Sequence, residues 1–460
     1  MERHKLSKSA YIRGLQCTKS LYLNKKRPFL RDKLSAEQRA KFKRGHAIGD
    51  KAHQLFPGGI NLAPKTPFQY PQAVKKTAEA LENNTPVIYE ASFQHHKTLV
   101  ALDILTFNNG KYYAWEVKSS LGISDTYIND AALQYWVITH SGIQLKDFSL
   151  ITVNPDYTLQ EPFVADDYFI KTSVLDRILP LQDAIEARID NFLDLLEEKH
   201  SPRKKIGPQC NSPYPCDFQR LCWKKVPEHS VFDLLHLDEI SKFRLYHKGI
   251  EAPGDIPFET LENDLLKKEI TFHLKDIPYA DKEIADLLKN APDILFFTAI
   301  KPAFPLFRGM KPYTQFPVLA AFKNKTGIST EIFSTPDEGH QYLKEKLQGE
   351  YPLLVMGDLQ ECKSKNIFSV SELLQEQKVF LPELKGTTDI DVIVNTLINK
   401  NVQDGYTNRF SAGNAWEELH KNNGALPMED ITNGLRDYAL RGIEACELFI
   451  TRITGINSDQ

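Results

Sequence analysis

Apolar positions along the first half of the chain recur first with a helical period, then with a strand period. Residues 6–23 carry a short helical pattern through Leu6, Ala10, Ile12, Leu15 and Leu21-Tyr22-Leu23, with Cys17 near its middle. From Ser35 to Phe56, the positions Phe42, Ile48, Ala52 and Leu55 suit a helix that stops at Pro57-Gly58-Gly59 and carries His53 in its last turns. Gly45 and Gly49 cost that helix about 1 kcal/mol each relative to Ala, so they are expected to serve close packing or backbone approach. Residues 72–83 predict a second helix, and Val87 to Phe93 a strand containing Glu90. Two more strands follow, Ala101-Leu102-Asp103-Ile104-Leu105 and Tyr112 to Lys118, joined through the turn residues Asn108-Asn109-Gly110. Ala131 to Thr139 reads as a helix presenting Gln134, Phe148 to Val153 as a strand, and about Val164 to Glu198 as one long amphipathic helix. Helix, three antiparallel strands, helix and strand predict an α/β sandwich.

That order puts Asp103 and Glu116 on neighbouring antiparallel strands. Two carboxylates side by side repel unless a cation or a proton stands between them, and hard oxygen ligands suit Mg²⁺ or Mn²⁺. Lys118 lies two residues beyond Glu116 and so shares its face, and a lysine beside a metal suggests an anionic substrate. Alternating charges on a solvated strand would give the same three residues.

The chain of 460 residues exceeds the size at which single cores stop growing, so more than one domain is expected. Its 42% hydrophobic and 25% charged residues exclude a disordered class, and no apolar run reaches membrane-spanning length. Without an apolar signal core after the basic N-terminus, the expected compartment is cytoplasmic, with no membrane partner. The net charge of −3 hides two basic zones. Residues 1–50 hold 14 Lys or Arg against 4 Asp or Glu, and residues 199–226 hold 7 against 1. Such zones fit a phosphate-backbone footprint, or two solvated lysine-rich faces.

Six cysteines in a chain this long do not make a disulfide framework. Cys210, Cys216 and Cys222 are spaced by five residues each, and three clustered thiols in the cytosol point to metal. Cys17 is the candidate fourth ligand of an iron–sulfur cluster. A four-cysteine Zn²⁺ site competes, although zinc ligands usually come as pairs two to four residues apart. Cys362 and Cys446 stand alone and are expected to be small buried apolar residues. Beyond the cysteines, Lys248-Gly249-Ile250 resembles the hairpin of helix-hairpin-helix modules, whose amides grip phosphates; a helical linker is the plain alternative.

Taken together, His53, Asp103, Glu116-Val117-Lys118, Gln134 and the four cysteines resemble, over about residues 5–226, the RecB-like PD-(D/E)XK nucleases that carry an iron–sulfur clasp. The resemblance implies a restriction-endonuclease-like mixed sheet flanked by helices. It implies a metal site on His53, from Gly49-x-x-x-His53, with Asp103, Glu116 and the Val117 carbonyl. Lys118 is implied as the residue that positions water and stabilises charge at phosphorus. Gln134 opens the family's Gln-x-x-x-Tyr motif, but Ile138 stands at the tyrosine position, where Tyr135 is the nearest substitute. Cys17, Cys210, Cys216 and Cys222 are implied as ligands of a structural [4Fe-4S] cluster. Its basic flanks, Lys19, Lys25, Lys26, Arg27, Arg203, Lys204 and Lys205, are expected to guide single-stranded DNA.

The whole chain resembles bacterial proteins that join such a nuclease domain (1–226) through a helical linker (227–290) to a C-terminal RNase-H-like α/β domain (291–460). Lys301-Pro302-Ala303-Phe304-Pro305-Leu306-Phe307, Lys311-Pro312-Tyr313 and Leu435-Arg436-Asp437-Tyr438 carry that part of the resemblance. Where that family has Asp-Phe-Glu-Thr, this chain has Phe296-Phe297-Thr298-Ala299, and Arg441-Gly442 stands at its last acidic position. The second domain is therefore expected to be inactive and to serve as a platform for nucleic acid or protein partners. The function expected of the chain is metal-dependent hydrolysis of DNA phosphodiester bonds, with DNA repair, recombination and phage defence all open as its pathway. The alternative is a non-catalytic nucleic-acid-binding or assembly subunit.

Overall fold

In the computed structural model, which describes residues 4–290, 292–349, 352–358, 366–399, 405–421 and 427–455, the chain is mixed α/β. It forms two compact units, one from Met1–Trp223 and Pro302–Thr314, the other from Lys224–Lys301 and Gln315–Gln460. Cys362 lies outside the described residues.

The first unit is built on a seven-stranded mixed sheet. Its strands are β1 (Leu6–Ser7), β2 (Ile60–Asn61), β3 (Val87–His95), β4 (Thr98–Asn108), β5 (Lys111–Val117), β6 (Leu145–Val153) and β7 (Phe169–Ser173). The order β2-β3-β4-β5-β6-β7 runs antiparallel from β3 to β5, with β6 parallel to β5, and β1 pairs in parallel with β4. The β4–β5 turn has Asn109 at φ +50° and Gly110 at φ +74°, the two positive φ values that match the twist of a tight hairpin. One face of the sheet packs on helices α1 (Lys8–Gln16), α2 (Thr18–Lys26) and later segments through Tyr11, Leu21, Leu102, Ala114, Leu133 and Phe148. The other face carries a separate apolar cluster that includes Ile48 and Ala52 of α3 (Ala36–Ala52), Tyr89, Ile104 and Val153. Helix α4 (Tyr70–Glu82) covers β3, and α5 (Asp125–His140) lies between β5 and β6 in sequence.

The long helix expected from Val164 to Glu198 is instead broken. Short α6 (Ala165–Tyr168) leads into β7, then α7 (Leu175–Ile178), a turn at Leu179–Leu181 and α8 (Asp183–Glu197). The exposed edge of β6 recruits residues 169–173 as an antiparallel partner, and Pro180 lacks the amide that a continuous helix needs. The helical spacing of Ile185, Ile189, Phe192 and Leu196 survives in α8 as its buried seam.

Two other boundaries also move. Pro302–Thr314, expected in the C-terminal domain, folds with the first unit. The Tyr168 hydroxyl donates to the Ala303 carbonyl at 3.0 Å, Leu159 N donates to Met310 O at 3.0 Å, and Lys51 Nζ lies 3.5 Å from the Phe304 ring centroid. Residues 227–290 belong to the second unit, where Val231, Leu234, Ile256, Leu266 and Ile270 form a local core. At the suspected hairpin, the amides of Lys248, Gly249 and Ile250 donate to Leu245 and Tyr246 carbonyls, so they close their own helix and are not presented to a phosphate.

The second unit holds a five-stranded mixed sheet and a two-stranded ribbon of β8 (Tyr279–Ala280) and β14 (Val379–Phe380). The sheet comprises β9 (Asp293–Ile300), β10 (Phe316–Asn324), β11 (Gly327–Ile332), β12 (Leu353–Met356) and β13 (Ile367–Ser369), in the order β11-β10-β9-β12-β13. β9 to β11 are antiparallel, while β12 runs parallel to β9 and β13. Phe296 and Thr298 of β9, where the family resemblance leads one to expect carboxylates, are buried; Phe296 packs against the long helix Met428–Thr454, where Tyr438 meets it edge-on. Cys446 on that helix is fully buried, as an apolar residue would be. A Cβ on Gly442 would stand 2.1 Å from the Phe296 ring, so the close approach of helix and sheet requires glycine. Gly442→Ala is expected to destabilise the second unit by about 1–3 kcal/mol through overpacking, read from urea unfolding of the full chain. An unchanged midpoint would mean that the helix can slide away at no cost.

Candidate functional site

The site begins with how the edges of β4 are shared. β3 occupies one edge of β4 from Thr98 to Thr106. On the other edge β1 pairs at Thr98 and Leu99, and β5 pairs from Ile104 to Asn108. Both strands stop short of Val100–Asp103, which leaves a notch. Chain direction delivers two segments into it: Lys8 follows β1 at once, and Glu116-Val117-Lys118 follow the last β5 pairing, Trp115 with Ile104. Continuing that register puts Glu116 opposite Asp103. The Asp103 carboxylate caps the freed edge, with Oδ2 accepting from Val117 N at 2.6 Å. A residue's N–H and C=O share one strand edge, so the Val117 carbonyl faces the same side.

Glu116 is 2% exposed. Its Oε1 accepts from Lys8 Nζ at 2.7 Å and from Lys118 Nζ at 2.8 Å, while its Oε2 is buried with no partner. Lys118 Nζ also donates to Asp130 Oδ2 of α5 at 2.5 Å, and Lys8 Nζ lies 3.9 Å from the same oxygen. One turn further along α5, Gln134 is fully buried with neither amide atom partnered, and Asp130 Oδ1 is likewise orphaned. Burial opposes the charge on Glu116, yet the two lysines outweigh it and hold its carboxyl well below the usual range. Burial likewise works against Lys8 and Lys118, but Asp130 and Glu116 raise both ammonium groups above the usual lysine value. Asp103 goes the other way: burial first and Glu116 second push its carboxyl up to about 8.

Glu90 joins this group. It faces Asp103 across β3 and β4 with φ +56°, a left-handed value that costs a non-glycine residue about 1 kcal/mol or more. Burial raises its carboxyl, and its field is shared with Lys8, Glu116, His46 and Asp50. Four carboxylates, Glu90, Asp103, Glu116 and Asp130, thus face two ammonium groups, an imbalance that a proton on Asp103 or a cation relieves. As the side chains stand, no group of three or more His, Cys, Asp or Glu among the described residues is disposed to hold a metal ion. The chemistry of the donors nevertheless fits Mg²⁺ or Mn²⁺: they are hard oxygens, and buried Glu116 Oε2 has a vacant acceptor position.

The structure therefore brings Asp103, Glu116, Val117, Lys118 and the α5 residue Gln134 to one region. It does not bring His53 there. His53 stacks on Tyr89 with ring centroids 3.9 Å apart and planes 14° apart, and burial lowers its pKa. Tyr89 belongs to the apolar cluster that also holds Trp115 and Val117, whereas alternation along β5 turns Glu116 to the opposite face with Ala114. Tyr135, the substitute for the missing motif tyrosine, packs at the margin of the core on α5. Lys8, Glu90 and Asp130 escaped the sequence reading. The one local signal for Lys8 is its place directly after the helix-capping Ser7, where a cation opposes the helix dipole.

Cys17, Cys210, Cys216 and Cys222 line a single pocket together with Lys19, Lys204 and Lys205. All four are free thiols, and burial raises Cys210 and Cys222. Cys17 is the hinge between α1 and α2. The later cysteine loop is tied to α1 by Gln16 Nε2, which donates to Gln209 O at 2.8 Å and Tyr214 O at 2.7 Å. Arg13 pairs with Asp217 at 2.7 Å. Cys216 Sγ donates to Ser20 Oγ at 3.4 Å.

No family model and no curated protein matches the chain. Among the described residues, no helix is long and apolar enough to cross a membrane.

The raised Asp103 carboxyl has a consequence for stability. Between the ordinary value of 3.8 and about 8, the native protein holds a proton that the unfolded chain has lost. Stability from this source is complete below about pH 4 and is lost as pH rises through about 8. Metal-free Asp103→Asn escapes that loss, so its stability relative to wild type should rise from about pH 6 to about pH 9, by at most about 1.4 kcal/mol per pH unit. Urea midpoints at both pH values check this, and parallel profiles would show that Asp103 ionises alike in both states.

Proposed function

We propose that the first unit is a metal-dependent deoxyribonuclease of the RecB-like PD-(D/E)XK kind. The observation that carries this reading is buried Glu116, with two lysines on one oxygen, the other oxygen unpartnered, and Asp103 opposite. The mixed sheet with its β3–β5 meander and parallel β6 supports a restriction-endonuclease-like fold. In the second unit, an antiparallel meander continued by two parallel strands supports an RNase-H-like platform.

Asp103 and Glu116 would hold Mg²⁺ or Mn²⁺, with Glu90 as a third oxygen donor within the same field. A bound divalent cation would supply Lewis acidity toward the phosphate oxygens. Lys118, fixed between Glu116 and Asp130, would offer an ammonium to the negative charge that grows at phosphorus. In the hydrolysis a water oxygen bonds to phosphorus and an ester P–O bond breaks. One water proton passes to the leaving alkoxide, and the other stays with the phosphate product until solvent takes it. Gln134, buried with neither amide atom partnered, would orient groups in this site. The four cysteines would hold a structural [4Fe-4S] cluster, and Lys19, Lys204 and Lys205 around it would attract a DNA strand.

End-labelled DNA incubated with anaerobically purified protein and Mn²⁺ is expected to be cut by wild type. Asp103→Ala and Lys118→Ala should each cut at least about a hundredfold more slowly. Equal cutting by all three would remove the proposal, and binding without cutting would favour an assembly subunit. The same preparation should be brown and lose both colour and iron in Cys216→Ser, whereas a colourless wild type with bound zinc would replace the cluster by Zn²⁺.

A further inference from the structure

Glu116 Oε1 receives two ammonium groups, and the two are not held alike. Lys118 is locked on both sides, by Glu116 and by Asp130. Lys8 is less confined: its side chain is 27% exposed and its closest carboxylate contact is Glu116, with Asp130 at 3.9 Å. The two ammonium groups repel each other, and Lys8 sits at the first position of α1, where no acidic side chain offsets its clash with the helix dipole. A residue that breaks local preference at a charged buried site marks a function more often than an accident. The edge-sharing on β4 aims Lys8 and Glu116 into the same notch from opposite ends.

Resting on the nuclease reading, we propose that Lys8 is a second catalytic lysine: it guards Glu116 Oε1 in the metal-free protein, yields that oxygen to a divalent cation, and turns its ammonium onto a non-bridging oxygen of the scissile phosphate. Lys8 neither gains nor loses a proton in this exchange. The swap keeps charge balanced, because the incoming cation replaces the ammonium at Glu116 and the phosphate replaces the carboxylate at Lys8. A lysine suits the task, since its compact charge on a flexible stem can change partners, whereas an arginine fork is held by geometry.

Two readouts on Lys8→Gln and Lys8→Arg test this. The first is Mn²⁺ affinity without DNA, from metal-dependent thermal shift. The second is the kcat against KM split for DNA cleavage. Lys8→Gln should bind Mn²⁺ several-fold more tightly, because Glu116 has lost a competitor. Its kcat should fall at least about a hundredfold, with KM raised less than kcat falls. Lys8→Arg should stay folded and recover only a fraction of kcat, because its fork changes partners less readily; a folded variant with partial activity excludes misfolding as the cause. Unchanged Mn²⁺ affinity in Lys8→Gln, or cleavage at the wild-type rate, overturns the proposal. If wild type binds Mn²⁺ but cuts nothing, the nuclease reading falls. The affinity comparison then decides alone whether Lys8 guards Glu116.

Discussion

A carboxylate taken out of water must find compensating charge, and the first unit is arranged around that requirement at Glu116. Glu116 is buried because β5 carries it inward on the same face as Ala114, under α5 and α1. Lys118 follows from strand alternation, two residues along. Asp130 must then approach from α5 to hold Lys118, and Lys8 must arrive from the N-terminal segment. The parallel pairing of β1 with β4 is therefore more than decoration at a sheet edge. It fixes where α1 starts, and hence where the Lys8 ammonium ends up.

The same nine-residue helix has Lys8 at its first position and Cys17 just beyond its last. Gln16 and Arg13 tie its far end to the cysteine loop, and that loop also brings Tyr214 within the field of Lys118 and Asp130. One rigid rod thus joins the cysteine pocket to the carboxylate site. A structural cluster at one end would act on chemistry at the other by holding that rod in place, with no electron transfer required.

What could be read in advance follows from the range of each interaction. The hairpin with Asp103, Glu116 and Lys118 was legible because a turn signal and strand alternation are local rules, and both hold in the structure. The four cysteines were grouped by the spacing of three of them and the search for a fourth thiol, and all four line one pocket. His53 was placed by its position in a motif, but aromatic stacking on Tyr89 determines where it lies. Lys8 meets Glu116 across 108 residues of chain and Asp130 meets Lys118 across 12, through pairings that no local pattern encodes. The broken helix at 164–198 failed for a related reason: β6 needed an edge partner, and that need lies outside the segment's own periodicity.

The second unit solves a similar charge problem by different means. Arg409 gathers three carboxylates: Asp358 at 3.1 Å, Asp389 at 2.6 Å and Asp391 at 3.3 Å. Asp391 further accepts from the Arg409 amide at 2.9 Å and from the Tyr438 hydroxyl at 3.3 Å. A planar guanidinium with several fixed donors holds three carboxylates at once, and an entering cation would have to displace it from each of them. At Glu116 the compensating groups are two point charges on flexible stems, and one carboxylate oxygen is left over. Carboxylates gathered on one fixed guanidinium give up their partner less readily than a carboxylate held by two flexible lysines with an orphaned oxygen beside them. That difference in how charge is compensated, more than the count of acidic residues in either unit, is why the proposed chemistry is assigned to the first.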